Sequence, residues 1–165
     1  MHEHRVQLRP IHESDIPIYF EHLQHQPAQH MAAFIHEDPA DRAAHDAHWA
    51  KLLASDDITS RSIELVTPNS DPTLAGHIIS FSMEGDREIT YWIDHRHWGK
   101  GIASAALEQF LSIEKTRPLY GRAAKDNTPS IRVMERCGFR LLREERGFAN
   151  ARGCEIDEVV MVLGS

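Results

Sequence analysis

The segment from residue 91 to residue 107 constrains the fold of this chain more than any other. It begins with the apolar run Tyr91-Trp92-Ile93, continues through Gly99-Lys100-Gly101, and enters a stretch with helical spacing of apolar residues. Glycines let the backbone turn tightly and bring its amides close to a partner. The first turn of a helix carries free N–H groups and a partial positive charge, so it attracts anions. The segment predicts a strand–turn–helix unit that holds a phosphate-bearing cofactor. The alternative is an ordinary glycine-containing turn. A Walker-type loop is disfavoured, because Gly99-Lys100-Gly101 lacks the following Lys-Ser/Thr.

Composition narrows the class of protein and its partners. At 165 residues, with ordinary charged and apolar fractions, we expect one globular domain spanning residues 1–165. The formal charge of −7 argues against a nucleic-acid partner and favours a cationic one, such as an amine. The N-terminus lacks the apolar segment of a signal peptide, and no apolar run reaches the roughly 20 residues that cross a bilayer. Cys137 and Cys154 fit neither a disulfide scaffold nor a zinc site, so we expect a cytoplasmic protein without a membrane partner.

The order of predicted elements indicates a mixed α/β fold with a central sheet flanked by helices. Ser14 is the predicted N-cap of a first helix, and Asn127 is the predicted N-cap of a late one that ends at Gly138. The turn at residues 84–87 predicts a hairpin. The remaining predictions are helices at residues 41–54 and 102–114, and strands near residues 6–10, 60–66, 74–83, 88–93, 119–124, 139–145 and 157–163.

Two ordered blocks carry a resemblance to a known family. The first is Gly99-Lys100-Gly101-Ile102-Ala103 after the strand, and the second spans residues 126–139, beginning Asp126-Asn127-Thr128-Pro129-Ser130. Together they resemble the GNAT superfamily of acyl-CoA-dependent N-acetyltransferases, in particular the branch with ribosomal-protein N-terminal acetyltransferases. The resemblance implies a GNAT-like fold, acetyl-CoA as cosubstrate and no metal. It also implies a protein N-terminus or a small amine as acceptor, and it allows a homodimer.

The resemblance also assigns site residues. A backbone amide near Trp92 or Ile93 would polarise the thioester, and Ser130 is the leading candidate to relay a proton to the thiolate. Trp98 stands where the superfamily often has Arg or Gln, so backbone amides would bind most of the phosphate. Met134 stands where many members place a tyrosine acid, and it cannot donate a proton. That departure keeps open a second hypothesis, a non-catalytic acyl-CoA sensor or interaction module. The predicted cofactor-binding residues are Trp92, Ile93, Asp94, Trp98, Gly99, Lys100, Gly101, Ile102, Ala103, Asn127 and Ser130.

The general base is less clearly indicated. Glu84 and Glu88 flank the predicted hairpin, and strand alternation places Glu88 on the same face as Trp92, so Glu88 ranks first. Tyr91 and Tyr120 are expected in the core. His45 and His48 share a helical face and so raise the possibility of a metal site, but the other histidines, including His2 and His22, show no consistent ligand spacing. We therefore expect surface histidines and no metal. His95 and His97 flank the phosphate loop, where a partly charged imidazole could help to bind an anion, but exposed loop positions are preferred.

By the same resemblance, the helices of residues 16–54 and the hairpin at residues 148–155 would enclose the acceptor. Phe34, Trp49 and Phe148 are candidates to shape that pocket, with core packing as the default for large aromatic side chains.

Overall fold

The structure, a computed structural model, describes residues 4–164. Within this range the chain forms seven strands and five α-helices. The strands are β1 (Arg5–Arg9), β2 (Thr59–Val66), β3 (Thr73–Met83), β4 (Asp86–Ile93), β5 (Leu119–Ala124), β6 (Arg140–Ala149) and β7 (Cys154–Leu163). The helices are α1 (Ile16–Leu23), α2 (Gln26–Ala32), α3 (Arg42–Ala54), α4 (Ile102–Phe110) and α5 (Thr128–Arg136). Short 3₁₀ turns at Glu13–Asp15 and His95–His97 precede α1 and α4.

All seven strands join one sheet in the order β1-β2-β3-β4-β5-β7-β6. Neighbouring strands are antiparallel except for β4 and β5, which run parallel. A parallel pair needs a crossover connection, and the segment containing α4 provides it. The predicted mixed α/β fold with helices flanking a central sheet is confirmed.

Local sequence signals explain several element boundaries. The β3–β4 turn is formed by Glu84 (φ 51°) and Gly85 (φ 88°), as the hairpin signal predicts. Asn127 caps α5, because its side-chain oxygen accepts a hydrogen bond from the Ser130 N–H at 3.3 Å. Gly138, at φ 97°, follows the end of α5 in the left-handed conformation that favours glycine.

The two faces of the sheet pack against different helices. On one face, Ile78 and Ile89 lie in a cluster with Leu107 of α4 and Met134 of α5. On the other, Ile79 packs with Tyr19 of α1 and Trp49 of α3. Strand alternation sends neighbouring residues of one strand into these two separate clusters. Trp49 is 4% exposed, so it is a core residue, as the default for large aromatics predicts.

Several boundaries differ from the sequence predictions. The first helix starts at Ile16 with Asp15 as its N-cap, because a 3₁₀ turn consumes the residues around Ser14. Helix α2 was not predicted; it is only seven residues long, starts with proline in its first turn and uses the His25 ring nitrogen as its cap. Helix α4 ends at Phe110 rather than at residue 114, and the last two strands extend further towards their turn.

The prediction of a surface position is wrong for His22, whose side chain is only 3% exposed. Helix α1 lies against the sheet and places the His22 ring near Asp94. His77 of β3 is also enclosed, between the rings of Tyr19 and Trp49 at 4.7 and 4.8 Å. Burial lowers the pKa of His77 to about 3, so it is neutral at pH 7. His2 lies outside the described residues.

Three further expectations can be compared with the structure. Cys137 and Cys154 are free thiols. Among residues 4–164, the structure forms no cluster of three or more His, Cys, Asp or Glu side chains placed to hold a metal ion. No helix in the described part of the chain is long and apolar enough to span a membrane.

Candidate active site

A gap opens between β4 and β5 near the carboxyl end of β4. The two strands pair only from Arg87 to Ile89, opposite Leu119–Gly121, although both continue beyond this point. On its other edge β4 stays paired with β3 as far as Ile93. The strands therefore separate after Ile89, and the unpaired edge of β4 faces an opening in the sheet.

The free edge of β4 points backbone N–H groups into this gap. The Asp94 N–H donates to the Ala75 carbonyl oxygen of β3 at 2.8 Å. Since backbone groups alternate along an antiparallel strand, the N–H groups of Tyr91 and Ile93 point the opposite way, towards β5. The Ile93 carbonyl follows the same direction, because it accepts a hydrogen bond from the Trp98 indole N–H at 3.0 Å. Two backbone N–H groups, on residues two apart in the strand, thus face the gap.

The glycine loop leads from this strand into α4. Gly99 (φ 77°) and Gly101 (φ 74°) both adopt left-handed backbone conformations, and Gly101 is the N-cap of α4. A Cβ atom at either glycine would meet nothing within 4 Å, so conformation rather than crowding by the protein requires glycine here. The first intrahelical acceptor, the Gly101 carbonyl, receives the Ala105 N–H, which leaves the amides of residues 102–104 without helical partners.

A cavity of about 440 Å³ joins the strand gap to the glycine loop and the start of α5. Its volume falls within the usual range for small-molecule sites. Helix α2 forms a further wall. The lining residues are Ala28, Met31, Ala32, Tyr91, Trp92, Ile93, His97, Trp98, Gly99, Gly101, Ile102, Ala103, Ser104, Asn127, Pro129, Ser130, Arg132, Val133 and Arg136.

Nine of the eleven predicted cofactor-binding residues line this cavity; Asp94 and Lys100 do not. Lys100 is exposed beside the loop. Asp94 is 1% exposed and turned away, with Arg96 Nε at 2.7 Å and His22 Nε2 at 3.8 Å. Burial alone would raise the pKa of Asp94, but the hydrogen bond from Arg96 and the nearby cations lower it, so the side chain is a charged anchor for the turn.

The predicted proton donor lies in the cavity with an unexpected partner. Ser130 Oγ is 2.9 Å from the hydroxyl oxygen of Tyr91, and both residues line the cavity. Tyr91 was expected in the core, and its half-buried side chain does pack against the core cluster, while its hydroxyl reaches Ser130 of α5. Burial raises the pKa of Tyr91 to about 12, against the hydrogen bond with Ser130, so the phenol is protonated at pH 7.

Met134 is a packing residue. It is 2% exposed, and its sulfur lies 2.5 Å from where a Cβ on Gly121 would sit. Glycine at position 121 of β5 therefore makes room for the methionine under α5. The two hydroxyls of Tyr91 and Ser130 lie one helical turn closer to the N-terminus of α5, because Ser130 and Met134 are four residues apart.

Neither candidate base lines the cavity. Glu84 is exposed in the β3–β4 turn, at the far end of β4. Glu88 is 5% exposed, and both of its carboxylate oxygens lie 3.2 Å from Arg122 Nε. Arg122 also donates to Glu145 at 2.8 Å and Glu158 at 3.0 Å. Burial raises the pKa of Glu88, and the guanidinium opposes that rise.

Several cavity residues were not predicted as ligand contacts. Arg132 and Arg136 stand one turn apart on α5, and within residues 4–164 neither has a carboxylate within 4 Å. Trp92 Nε1, His97 Nδ1 and Ser104 Oγ are buried without a hydrogen-bond partner in the described part of the chain. A usable signal was the i, i+4 spacing of the arginines on the same helix as Ser130. The His95 side chain does not extend freely into solvent, because its ring stacks on the ring of His25 with centroids 3.6 Å apart.

Helix α2 is fastened to the β6–β7 hairpin. Arg152 forms a two-pronged ion pair with Asp126 at 2.7 and 2.8 Å and donates to the His30 carbonyl at 2.8 Å. Asn150 donates to the Ile35 carbonyl at 2.7 Å. The structure thus brings together the segment after α2 and the hairpin that were expected to enclose an acceptor. Phe148 on this hairpin is 59% exposed, whereas Phe34 is half-buried against Ala33 and Ala149.

Comparisons with known proteins agree with this architecture. The sequence model of the family described as "Acetyltransferase (GNAT) domain" matches residues 5–140. A curated relative, "Uncharacterized N-acetyltransferase p20" of Bacillus licheniformis, is 33% identical over 84 residues, covering 48% of this chain and 47% of the relative. The chain thus spans about half the length of that relative.

Two solved structures share the fold. Mycobacterium smegmatis RimJ in complex with CoA-disulfide superposes with a TM-score of 0.75 and 19% identity, over 96% of this chain and 81% of the other. Spermidine N-acetyltransferase from Vibrio cholerae, in complex with CoA and spermine, gives 0.73 and 17% over 95% of each chain. Because the family model covers most of the sequence, this chain belongs to the GNAT acetyltransferase family.

Proposed function

We propose that this protein is an acetyl-CoA-dependent N-acetyltransferase that acetylates a primary amine. The proposal is carried by one observation: the split part of β4, the glycine loop and the hydrogen-bonded residues Tyr91 and Ser130 all line the same cavity. Family membership supports the reaction class, and the geometry supports the roles of individual residues.

The residues around the cavity suit coenzyme A in charge and hydrogen-bonding capacity. The amides of residues 102–104 and the positive end of α4 suit a pyrophosphate. Arg132 and Arg136, without carboxylate partners in the described chain, supply positive charge for phosphate groups. Buried polar atoms on His97 and Ser104 lack partners that a polar ligand could supply after small side-chain rotations. Bound acetyl-CoA would supply the acetyl group as a thioester.

Polarisation of the thioester carbonyl is assigned to the free edge of β4. The N–H groups of Tyr91 and Ile93 face the gap and are held in place by the pairing of β4 with β3. A fixed donor aimed at developing negative charge contributes about 3 kcal/mol to catalysis. Gly76 keeps this edge in position, because a Cβ there would lie 2.0 Å from the Trp92 carbonyl oxygen.

Proton movements are assigned to Ser130 and Glu88. Ser130 would deliver a proton to the leaving thiolate, with Asn127 holding the first turn of α5 in place. Glu88 lies four residues before Trp92, about 13 Å along the strand, so it would accept the proton of the amine through water. Its burial raises its pKa, which strengthens it as a base. Glu84 lies still further from the cavity, and the geometry favours Glu88.

The acceptor is proposed to be a cationic amine, either a protein N-terminus or a small amine. Three carboxylates, on Glu88, Glu145 and Glu158, surround the guanidinium of Arg122. Arg143 also pairs with Glu145, so the cluster holds three carboxylates against two guanidinium groups and remains net negative. The whole chain also carries a formal charge of −7. Negative charge raises the local concentration of a cationic substrate.

A comparison of Ser130→Ala with Ser112→Ala tests the chemical role. We expect Ser130→Ala to lower kcat about 100-fold, because general-acid catalysis has that magnitude. Calorimetry should give a Kd for acetyl-CoA within about threefold of the wild type, since one neutral hydrogen bond is worth about 1 kcal/mol or less. Ser112 is exposed beyond α4, so its alanine variant is the control. Unchanged kcat in Ser130→Ala would remove Ser130 from the mechanism. Binding without turnover of any amine would instead favour the acyl-CoA sensor.

A further inference from the structure

Tyr91 packs against the core cluster and also places its hydroxyl beside the predicted proton donor. It lies on the free part of β4, opposite Ile78 of β3 and beyond the last residue paired with β5. Its ring lies beside α5, and its hydroxyl is directed to Ser130 Oγ at 2.9 Å. Both oxygens belong to residues that line the cavity. The hydroxyl therefore lies within hydrogen-bonding distance of Ser130, the side chain proposed to protonate the leaving sulfur.

We propose that Tyr91 is a positioning and proton-relay residue that acts through Ser130 on the departing sulfur. This inference rests on the proposed acetyltransferase function. Met134 of α5 is an apolar side chain packed under Gly121 and cannot donate a proton. In this proposal the hydroxyl of Tyr91 on β4 takes part in proton donation instead. The proton donor of this chain would thus be a pair of hydroxyls contributed by a strand and a helix.

The order of the two hydroxyls follows from their chemistry. An aliphatic hydroxyl is a weaker acid than a phenol, so Ser130 alone is a poor proton source. When the Tyr91 O–H donates to Ser130 Oγ, the hydrogen of Ser130 is free to point into the cavity. A tyrosine is protonated at neutral pH, and burial raises the pKa of Tyr91 further, so its hydroxyl is available to donate to Ser130. A donor with its proton in place and a fixed direction is what delivery to a thiolate requires.

The proton balance closes without any further reactant. The amine nitrogen forms a bond to the acetyl carbon, and the carbon–sulfur bond breaks with its electron pair going to sulfur. Sulfur takes the Ser130 proton, and Ser130 takes the Tyr91 proton. Water entering the cavity returns a proton to the phenolate. Over the cycle the ammonium loses two protons, sulfur gains one, and one is released to solvent.

Kinetics of four variants test the relay. Tyr91→Phe keeps the ring and its packing but removes the hydroxyl, and we expect kcat to fall about tenfold with KM for acetyl-CoA within about twofold. The double variant with Ser130→Ala should be no slower than Ser130→Ala alone, because the two hydroxyls act in series. Tyr120→Phe is the control. Tyr120 is half-buried on the neighbouring strand and does not line the cavity.

Two readouts separate a proton relay from a packing role. Proton inventories in mixed light and heavy water should be curved for the wild type, with two protons moving, and linear for Tyr91→Phe. Calorimetry should show that the wild type prefers CoA to desulfo-CoA and that Tyr91→Phe loses about threefold or more of this preference, since the freed Ser130 hydroxyl is no longer oriented towards sulfur.

The outcomes distinguish this inference from the proposed function. An active wild type with unchanged kcat, proton inventory and CoA preference in Tyr91→Phe would overturn the relay and leave the acetyltransferase intact. A wild type without turnover for any amine would overturn the proposed function itself. Equal losses in Tyr91→Phe and Tyr120→Phe would show a general packing effect and would also overturn the relay.

Discussion

A glycine can be required at the start of α4 for its backbone conformation or for the access it gives to a bound phosphate. Substitution of Gly101 by alanine separates these two reasons. Gly101 has φ 74°, and a Cβ there would meet no protein atom within 4 Å. The folded protein therefore suffers only the cost of placing an L-residue in a left-handed conformation, about 1–2 kcal/mol. We expect the free energy of unfolding of Gly101→Ala to fall by this amount.

The effect on ligand binding should be larger and specific. A methyl group at position 101 would occupy the space from which a phosphate approaches the amides of residues 102–104. Weakening one charge-assisted hydrogen bond costs about 1.5–3 kcal/mol, which corresponds to about a 10- to 100-fold increase in the Kd of CoA. Calorimetric titration with CoA measures this change, and urea unfolding without ligand measures the stability change.

Gly85→Ala provides a matched control. Gly85 has φ 88° in the β3–β4 turn, and a Cβ there also meets nothing within 4 Å. Both variants should lose a similar free energy of unfolding, but only Gly101→Ala should lose CoA affinity. Equal, unchanged CoA affinities in the two variants would show that Gly101 serves the turn alone and would refute the assignment of this loop to phosphate binding.

Three further variants test the framework around the site. Asp15 is 3% exposed; burial would raise its pKa, but hydrogen bonds from Arg9, His12 and Ser62 lower it to about 2 from 3.8. Asp15→Asn should therefore lower the free energy of unfolding by about 2 kcal/mol at pH 7. The stabilisation by Asp15 fades as the pH falls through 3.8 towards 2, so urea unfolding at pH 3 should show a difference about half as large. A difference that does not change with pH would contradict this reasoning. Gly121→Ala should lower thermal stability by about 1–3 kcal/mol through its contact with Met134, and an unchanged Tm would contradict that packing. Arg152→Ala should release α2 from the hairpin and speed proteolysis near residues 25–40, whereas unchanged cleavage would show that the remaining contacts hold it.

Local chemistry made much of the fold predictable. Asn127 and Gly138 marked the two ends of α5, because capping depends on neighbouring residues alone. Helix α2 escaped prediction because seven residues carry too little periodic pattern to be recognised. The confirmed family resemblance rested on two blocks whose order along the chain matters, rather than on either block alone.

The candidate site was less predictable, because it depends on long-range geometry. Pairing between β4 and β5 stops at Ile89 for reasons that involve both strands, so the sequence of β4 alone does not reveal the gap. Alternation correctly separated Tyr91 from Trp92 by face, but it could not indicate that the face of Tyr91 borders the cavity. Asp94 directly follows β4 in the sequence and was predicted to contact the cofactor, yet the 3₁₀ turn and Arg96 direct its side chain away from the cavity.

Thiol release from acetyl-CoA, measured with a panel of N-terminal peptides, polyamines, amino acids and aminoglycosides, tests the central claim most directly. We expect at least one class of amine to support release. At an acetyl-CoA concentration just sufficient to saturate Gly85→Ala, Gly101→Ala should release thiol with the same amine more slowly, because its Kd for CoA is expected to be about 10- to 100-fold higher. Micromolar to millimolar binding of acetyl-CoA without thiol release for any amine would contradict the acetyltransferase and support a sensor. Absence of binding would contradict both.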